Sequence, residues 1–496
     1  MRILLASSEV IPFSKTGGLA DVCGSLPRAL QELGHAVSVV TPAYRETRYS
    51  GRNIHPTGIE FIVPIAGKTV SGRLLKSTLP GDQVPVYLIQ QDQYFDRDGL
   101  YRHSGSDHID NCERFIFFSR AVLETIRLLQ LDVDVLHVND WQTGLVPAYL
   151  AIEYANRERY RSIASLMTIH NLSYQGQFWH WDMLLTGLDW KYFNFHQMEF
   201  HNKLNLLKTG IVFADSVNTV SPQYAREIQT HEFGCGLDPA LSHRRSVLSG
   251  IVNGVDYSVW DPQIDQGIAA TYGPDNWKDG KSQCKTAMQQ EMGLPVRPEA
   301  PVIGIVSRLT TQKGVDLWVP VMQRWLERRE TQWVVLGDGD PDYHERLADL
   351  ERRHPDKLGL RIGFDDGLAH RIEAGCDMFL MPSRFEPCGL NQLYSLRYGS
   401  PPVVRTVGGL KDTVTDVNED TLNRHVATGF VFDGYSEEAL EQTLDRAVAT
   451  YREMPGVWER IVRAGMMQDW SWRRSAEEYV GLYRATIGRL RQTRFA

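Results

Sequence analysis

Residues 377–381 form an apolar run that Pro382 stops, with Glu386, Pro387 and Gly389 close behind and Leu390, Leu393 and Leu396 following at helical spacing. Such a run reads as a strand buried on both faces of a parallel sheet, and the leucine spacing begins the next helix. Glu386 therefore falls just past a strand's carboxyl end, kept extended by Pro387 on a backbone that Gly389 lets approach closely. In open α/β sheets that crevice is where ligands bind. Taken alone, the segment reads equally well as a loop carrying a solvated carboxylate.

The same pattern recurs along the chain. Residues 2–6 form a strand, Val22, Leu26, Ala29, Leu30 and Leu33 line one face of a helix ended by Gly34, and residues 36–40 form the next strand, a βαβ unit. A mixed region runs to about Gln90, and a helix is expected over 115–129. Strands follow at 133–138, 164–169 and 216–220. Beyond residues 248–252 the composition turns to Gly, Pro and Asp as far as Pro274, which marks a domain boundary. A second series places strands at 302–306, 333–336, 360–362, 378–381 and 403–404, and residues 476–490 form an amphipathic tail helix. The expected class is α/β, with two Rossmann-like, doubly wound parallel-sheet domains over 1–249 and 250–474 and a terminal helix over 475–496.

Composition removes several functions. A formal charge of -8 argues against nucleic acid as a partner, because phosphate contacts need a basic surface. Cys23, Cys112, Cys235, Cys284, Cys376 and Cys388 contain no C-x-x-C pair, so a reduced, cytoplasmic protein without a zinc module is expected. No apolar run approaches membrane-spanning length, and the first residues read as a strand rather than a leader. Neither G-x-x-x-x-G-K-[ST] nor G-x-S-x-G occurs.

Just past strand ends lie Lys15, Asp21, Asp140, His170, Arg308, Lys313 and Glu386. Gly17-Gly18 and Gly408-Gly409 each precede a helical pattern, where exposed N–H groups and the helix dipole favour anions. A guanidinium fork at Arg308 and a point charge at Lys313 match a diphosphate, so the chemistry left is group transfer from a diphosphate donor. The plainer alternatives stay open: tight turns for the glycines, ordinary surface for the cations, a packed side chain for His170. No His/Asp/Cys set at metal spacing surrounds His170.

Four stretches carry a resemblance to one family. Lys15-Thr-Gly-Gly-Leu-Ala-Asp-Val22, Thr168-Ile-His-Asn-Leu-Ser-Tyr-Gln-Gly176, Val252-Asn-Gly-Val-Asp256 and Ser383-Arg-Phe-Glu-Pro-Cys-Gly-Leu390 resemble, in order, motifs of the bacterial glycogen synthases and plant starch synthases. The resemblance implies a GT-B fold, with two Rossmann-like domains facing a deep interdomain cleft and a C-terminal helix crossing back to the first. The first domain would take the acceptor and the second the nucleotide sugar. It implies retaining transfer of glucose from ADP-glucose to the non-reducing end of an α-1,4-glucan, with no metal and no cofactor. By the same resemblance Lys15 and Gly18 lie by the diphosphate and glucose, Arg308 and Lys313 hold phosphates, and His170 and Asn253 contact the transferred glucose. Glu386 and the backbone of Cys388, Gly389 and Leu390 hold its hydroxyls and stabilise charge at the anomeric carbon. Thr406, Gly408 and Gly409 offer a helix start to the distal phosphate. Asp21, Asp140, Asn171 and Trp141 are sugar or acceptor contacts.

Two positions depart from the wider pattern. Asn139 stands where many relatives carry histidine, and Tyr394 stands eight residues after Glu386 where the wider GT-B group often has a second glutamate. The rival readings are the same reaction with UDP-glucose, a starch synthase core, and a catalytically silent glucan-binding protein. The intact Lys15, Arg308, Lys313 and Glu386 oppose the last, and the absence of a transit peptide before the first strand opposes the plant case.

Overall fold

The apolar runs form strands because they are buried on both faces, and their order in each sheet decides which loops become neighbours. A computed structural model describes residues 1–81 and 83–495, which divide into one unit of residues 1–254 with 472–496 and another of 255–471. The chain therefore passes between units at 254/255 and 471/472, a few residues from the expected 249/250 and 474/475.

In the first unit, Arg2–Ala6 lies inside a nine-stranded sheet. To one side run Val135–Asn139, Ala164–Ile169, Ser216–Thr219 and Leu248–Gly250; to the other run Ala36–Pro42 and Pro85–Gln90, all parallel. The order reverses between Arg2–Ala6 and Val135–Asn139, so the loops leaving these two strands flank a switch point. The region read only as mixed is an antiparallel pair, His55–Ile65 and Lys68–Thr78, added to the edge. Its inward residues Phe61, Val63 and Ile65 alternate with exposed ones, the mark of a strand with one wet face.

The terminal helix, Trp472–Phe495, is longer than expected and belongs to this unit. Trp472, Ala476, Tyr479, Val480 and Tyr483 recur at helical spacing and share a core cluster with Val10, Leu19 and Leu26. Two of its hydroxyls meet buried polar groups: Tyr483 OH lies 2.9 Å from His137 Nδ1, and Asn218 Nδ2 donates to Tyr479 OH at 3.1 Å.

The second unit holds six parallel strands in the order Leu358–Ile362, Gln332–Gly337, Val302–Val306, Met378–Met381, Pro402–Arg405, Phe430–Phe432. Its switch point lies between Val302–Val306 and Met378–Met381. Helix Val315–Arg328 covers one face with Trp318 and Trp325 fully buried. Among the described residues, no helix is long and apolar enough to cross a membrane, and Cys23, Cys112, Cys235, Cys284 and Cys376 are free thiols.

Candidate active site

In the second unit the switch point brings two loops together. Gly314 ends the loop after Val302–Val306 with φ 73°, and a β-carbon there would stand 2.3 Å from the carbonyl oxygen of Pro382. That close approach aims Lys313 at Glu386: Nζ lies 2.5 Å from Oε2, and Ser383 Oγ donates to the same oxygen at 3.0 Å. Glu386 is only 5% exposed, so its carboxylate needs this partner. Both bonds fall on Oε2, and none among the described residues is recorded on Oε1.

The rest of the second-unit set is held by backbone. Gly408, at φ 42°, passes so close to Glu386 that a β-carbon would stand 1.9 Å from its carbonyl oxygen. Gly409 N–H donates to that oxygen at 3.1 Å. The second glycine pair thus serves packing between two site loops, and the amide of Gly409 is already spent. Gln392 Nε2 donates to the carbonyls of Cys388 and Gly389, fixing the turn into Leu390. Thr406 donates through N–H and Oγ1 to the carbonyl of Phe432, and Arg308 donates to Gln312 Oε1 at 3.0 Å.

In the first unit Gly17 is the extended residue before helix Gly18–Glu32, and Lys15 Nζ pairs with Asp21 Oδ1 at 2.8 Å. At the ends of the neighbouring strands, Asp140 adopts φ 54° and accepts the N–H of His170 on Oδ1 at 2.7 Å. Loss of solvent raises the Asp140 carboxyl to about 7, the His170 N–H opposes the shift, and the charge of Glu9 adds to it. Burial lowers the His170 imidazole to about 3, so it stays neutral near pH 7. Asn171 Oδ1 accepts from the N–H of Ser173 at 3.0 Å. Asn253, expected in the second domain, lies at the end of the first unit, buried, with Oδ1 lacking a hydrogen-bond partner among the described residues.

Trp141 is anchored in the core: its ring stands 4.9 Å from Phe115, 5.7 Å from Phe178 and 6.2 Å from Tyr101, so it braces the Asp140 loop. Among the described residues, no group of three or more His, Cys, Asp or Glu side chains is arranged to hold a metal.

Residues 2–243 match the family model of the starch synthase catalytic domain, and residues 290–460 that of the group 1 glycosyl transferases. The chain is 46% identical to the glycogen synthase of Rhodopirellula baltica, over 100% of this chain and 99% of that one. The chain belongs to the glycogen synthase family. A second glycogen synthase, from Anaeromyxobacter dehalogenans, is 47% identical over 98% of this chain and 99% of its own. Among solved structures, the catalytic domain of starch synthase IV from Arabidopsis thaliana, bound to ADP and acarbose, superposes with a TM-score of 0.90 at 32% identity, covering 98% of this chain and 99% of that one. The chain is thus a glucosyltransferase of the GT-B two-domain α/β fold. One residue of its first-unit loops escaped the sequence reading. Glu9 follows the first strand in Ser7-Ser8-Glu9-Val10, and a lone carboxylate between a strand end and an apolar pair was the only signal.

Proposed function

We propose that this protein transfers glucose from ADP-glucose to the non-reducing end of an α-1,4-glucan, retaining anomeric configuration and using no metal ion. The observation that carries the reading is the Lys313–Glu386 pair at the switch point of the second unit. Lys313, with Arg308, neutralises charge on the departing diphosphate while remaining within reach of Glu386. Glu386, preset by Lys313 and Ser383, turns Oε1 to a glucose hydroxyl and stabilises positive charge growing at the anomeric carbon. The backbone of Cys388, Gly389 and Leu390 holds further hydroxyls, and Thr406 with Gly408 lies by the distal phosphate; Gly409 contributes by packing. The loops of the first unit serve the glucan and the transferred sugar: Lys15 and Gly18 by the diphosphate, His170 and Asn253 on glucose, Asp21, Asp140 and Asn171 on sugar hydroxyls. The unpartnered Oδ1 of Asn253 supports its place in this set.

The ADP and acarbose of the starch synthase IV complex support an adenosine diphosphate donor and an α-glucan acceptor. The free thiols of Cys23, Cys112, Cys235, Cys284 and Cys376 support a reducing, cytoplasmic setting. The test is incorporation of labelled glucose into glycogen from ADP-glucose and UDP-glucose side by side, with and without excess EDTA. Faster incorporation from ADP-glucose, unchanged by EDTA, is expected; preference for UDP-glucose or a strict magnesium requirement overturns the donor or the metal-free step respectively.

A further inference from the structure

Glu9 is 3% exposed, and a carboxylate taken so far from water is costly unless its lone pairs are used. Here they are. Oε2 accepts the N–H groups of Thr16 at 2.5 Å and Gly17 at 3.3 Å, and Oε1 accepts Thr16 Oγ1 at 2.7 Å and Tyr101 OH at 2.7 Å. Tyr101 is itself fixed, with Ser8 Oγ 2.7 Å from its hydroxyl and its ring tilted against Phe115 and Trp141. Glu9 thus ties three pieces of chain together: the strand end that carries it, the Lys15–Gly18 loop, and the segment around Tyr101.

The bonds to Thr16 and Gly17 are made to backbone, so they set the path of the loop rather than one rotamer. Gly17 has no side chain to cap helix Gly18–Glu32, and no side-chain cap exists there. Glu9 supplies from outside the anchor that a capping residue gives from within. It also spends the amides of Thr16 and Gly17 inside the protein, so an anion at this loop must be met by Lys15 and by groups beyond Gly17.

We propose that Glu9 is the positioning residue of the Lys15–Gly18 loop, holding Lys15 and Gly18 in the shape in which they act on the sugar donor. The inference rests on the assignment of Lys15 and Gly18 above. Because it acts through the loop, replacing Glu9 and replacing Lys15 must remove overlapping contributions.

Glutamine can keep the clamp. Its oxygen can face the two N–H groups while its NH2 faces Thr16 Oγ1 and Tyr101 OH, both of which can accept. Alanine cannot, and aspartate, one methylene shorter, cannot reach both sides. The test is kcat and KM for ADP-glucose on glycogen with purified full-length Glu9→Ala, Glu9→Gln, Glu9→Asp, Lys15→Ala and the Glu9→Ala/Lys15→Ala double variant, with thermal unfolding of each. Misplacement of a catalytic group by about 1 Å costs roughly a hundredfold. Glu9→Ala is therefore expected to lose about a hundredfold in kcat, Glu9→Gln to stay within about tenfold of the parent, and the double variant to fall little below Lys15→Ala. Glu9→Ala within about threefold of the parent, or losses that multiply in the double variant, overturns the proposal. Glu9→Asp covers failure of the alanine variant to fold: a drop of about tenfold or more supports the clamp, and parental kcat overturns it. Full activity in Lys15→Ala overturns instead the reading of the loop on which the proposal stands.

Discussion

The side-chain oxygen of Asn139 lies 2.9 Å from Nε2 of His170, while the amide nitrogen of Asn139 donates to the carbonyl of Ala6 at 3.1 Å. The second bond orients the amide, so the first must be accepted from His170, and Nε2 carries the proton. Nδ1 is left as a bare lone pair. Asn139 therefore sets one tautomer of His170. Nitrogen-detected NMR should find His170 neutral, protonated on Nε2 and untitrated down to about pH 4, as its lowering to about 3 requires. Asn139→Asp replaces a neutral acceptor with a charged one and should move the titration upward. A His170 that titrates near 6.5 in the parent contradicts this account.

Glu386→Gln keeps the shape of the second-unit site and removes its charge. Loss of one preorganised electrostatic group costs about 2.7–4 kcal/mol, or roughly two to three decades in kcat. Thermal unfolding should move far less than kcat, and turnover within about threefold of the parent would exclude Glu386 from the chemistry. Gly408→Ala approaches the same residue from behind. Its β-carbon meets the Glu386 carbonyl, so a comparable fall in kcat is expected from displacement of the backbone that carries Glu386.

Asp140 gives a pH dependence of defined sign. Its carboxyl is raised to about 7 in the folded chain, against about 3.9 unfolded, so the folded state binds the proton more tightly. That contribution to stability is complete below about pH 4 and is lost as pH rises through about 7. Asp140→Asn does not titrate, so its stability relative to the parent should increase between pH 5 and pH 8. Paired denaturant melts at the two values measure the difference, and a decrease would reverse the assignment.

Tyr483→Phe tests the terminal helix. His137 is fully buried between Tyr483 OH at 2.9 Å and Thr168 Oγ1 at 2.7 Å. Removing the phenol strands Nδ1, at a cost of about 1–3 kcal/mol. Chemical denaturation should report a loss of that size, with kcat at saturating substrate little changed.

The strands at 164–169, 302–306 and 378–381 were legible because burial on both faces leaves an uninterrupted apolar run. The pair His55–Ile65 and Lys68–Thr78 was not, because one face is wet and charged residues such as Glu60, Lys68 and Arg73 interrupt the apolar signal. The two glycine pairs look alike in sequence and differ in cause. Gly17 has open space where a β-carbon would go, whereas Gly408 and Gly409 are pressed against the Glu386–Cys388 backbone. The core packing of Trp141 was hidden for a similar reason, since an aromatic next to a carboxylate looks the same in sequence whether its ring is packed or open. Glu9 depends on partners at Thr16 and Tyr101, and nothing at Glu9 itself announces them.

The order of synthesis adds a constraint on how this chain matures. Tyr479 and Tyr483 partner Asn218 and His137 in the core of the first unit, yet they leave the ribosome only after residues 255–471. At roughly 5–20 residues per second, the first unit waits on the order of ten to forty seconds with those buried polar groups unanswered and the apolar face around Val10, Leu19 and Leu26 uncovered. It is the first unit to be made and the last to be finished, so a nascent chain arrested before Trp472 presents chaperones with an open first unit.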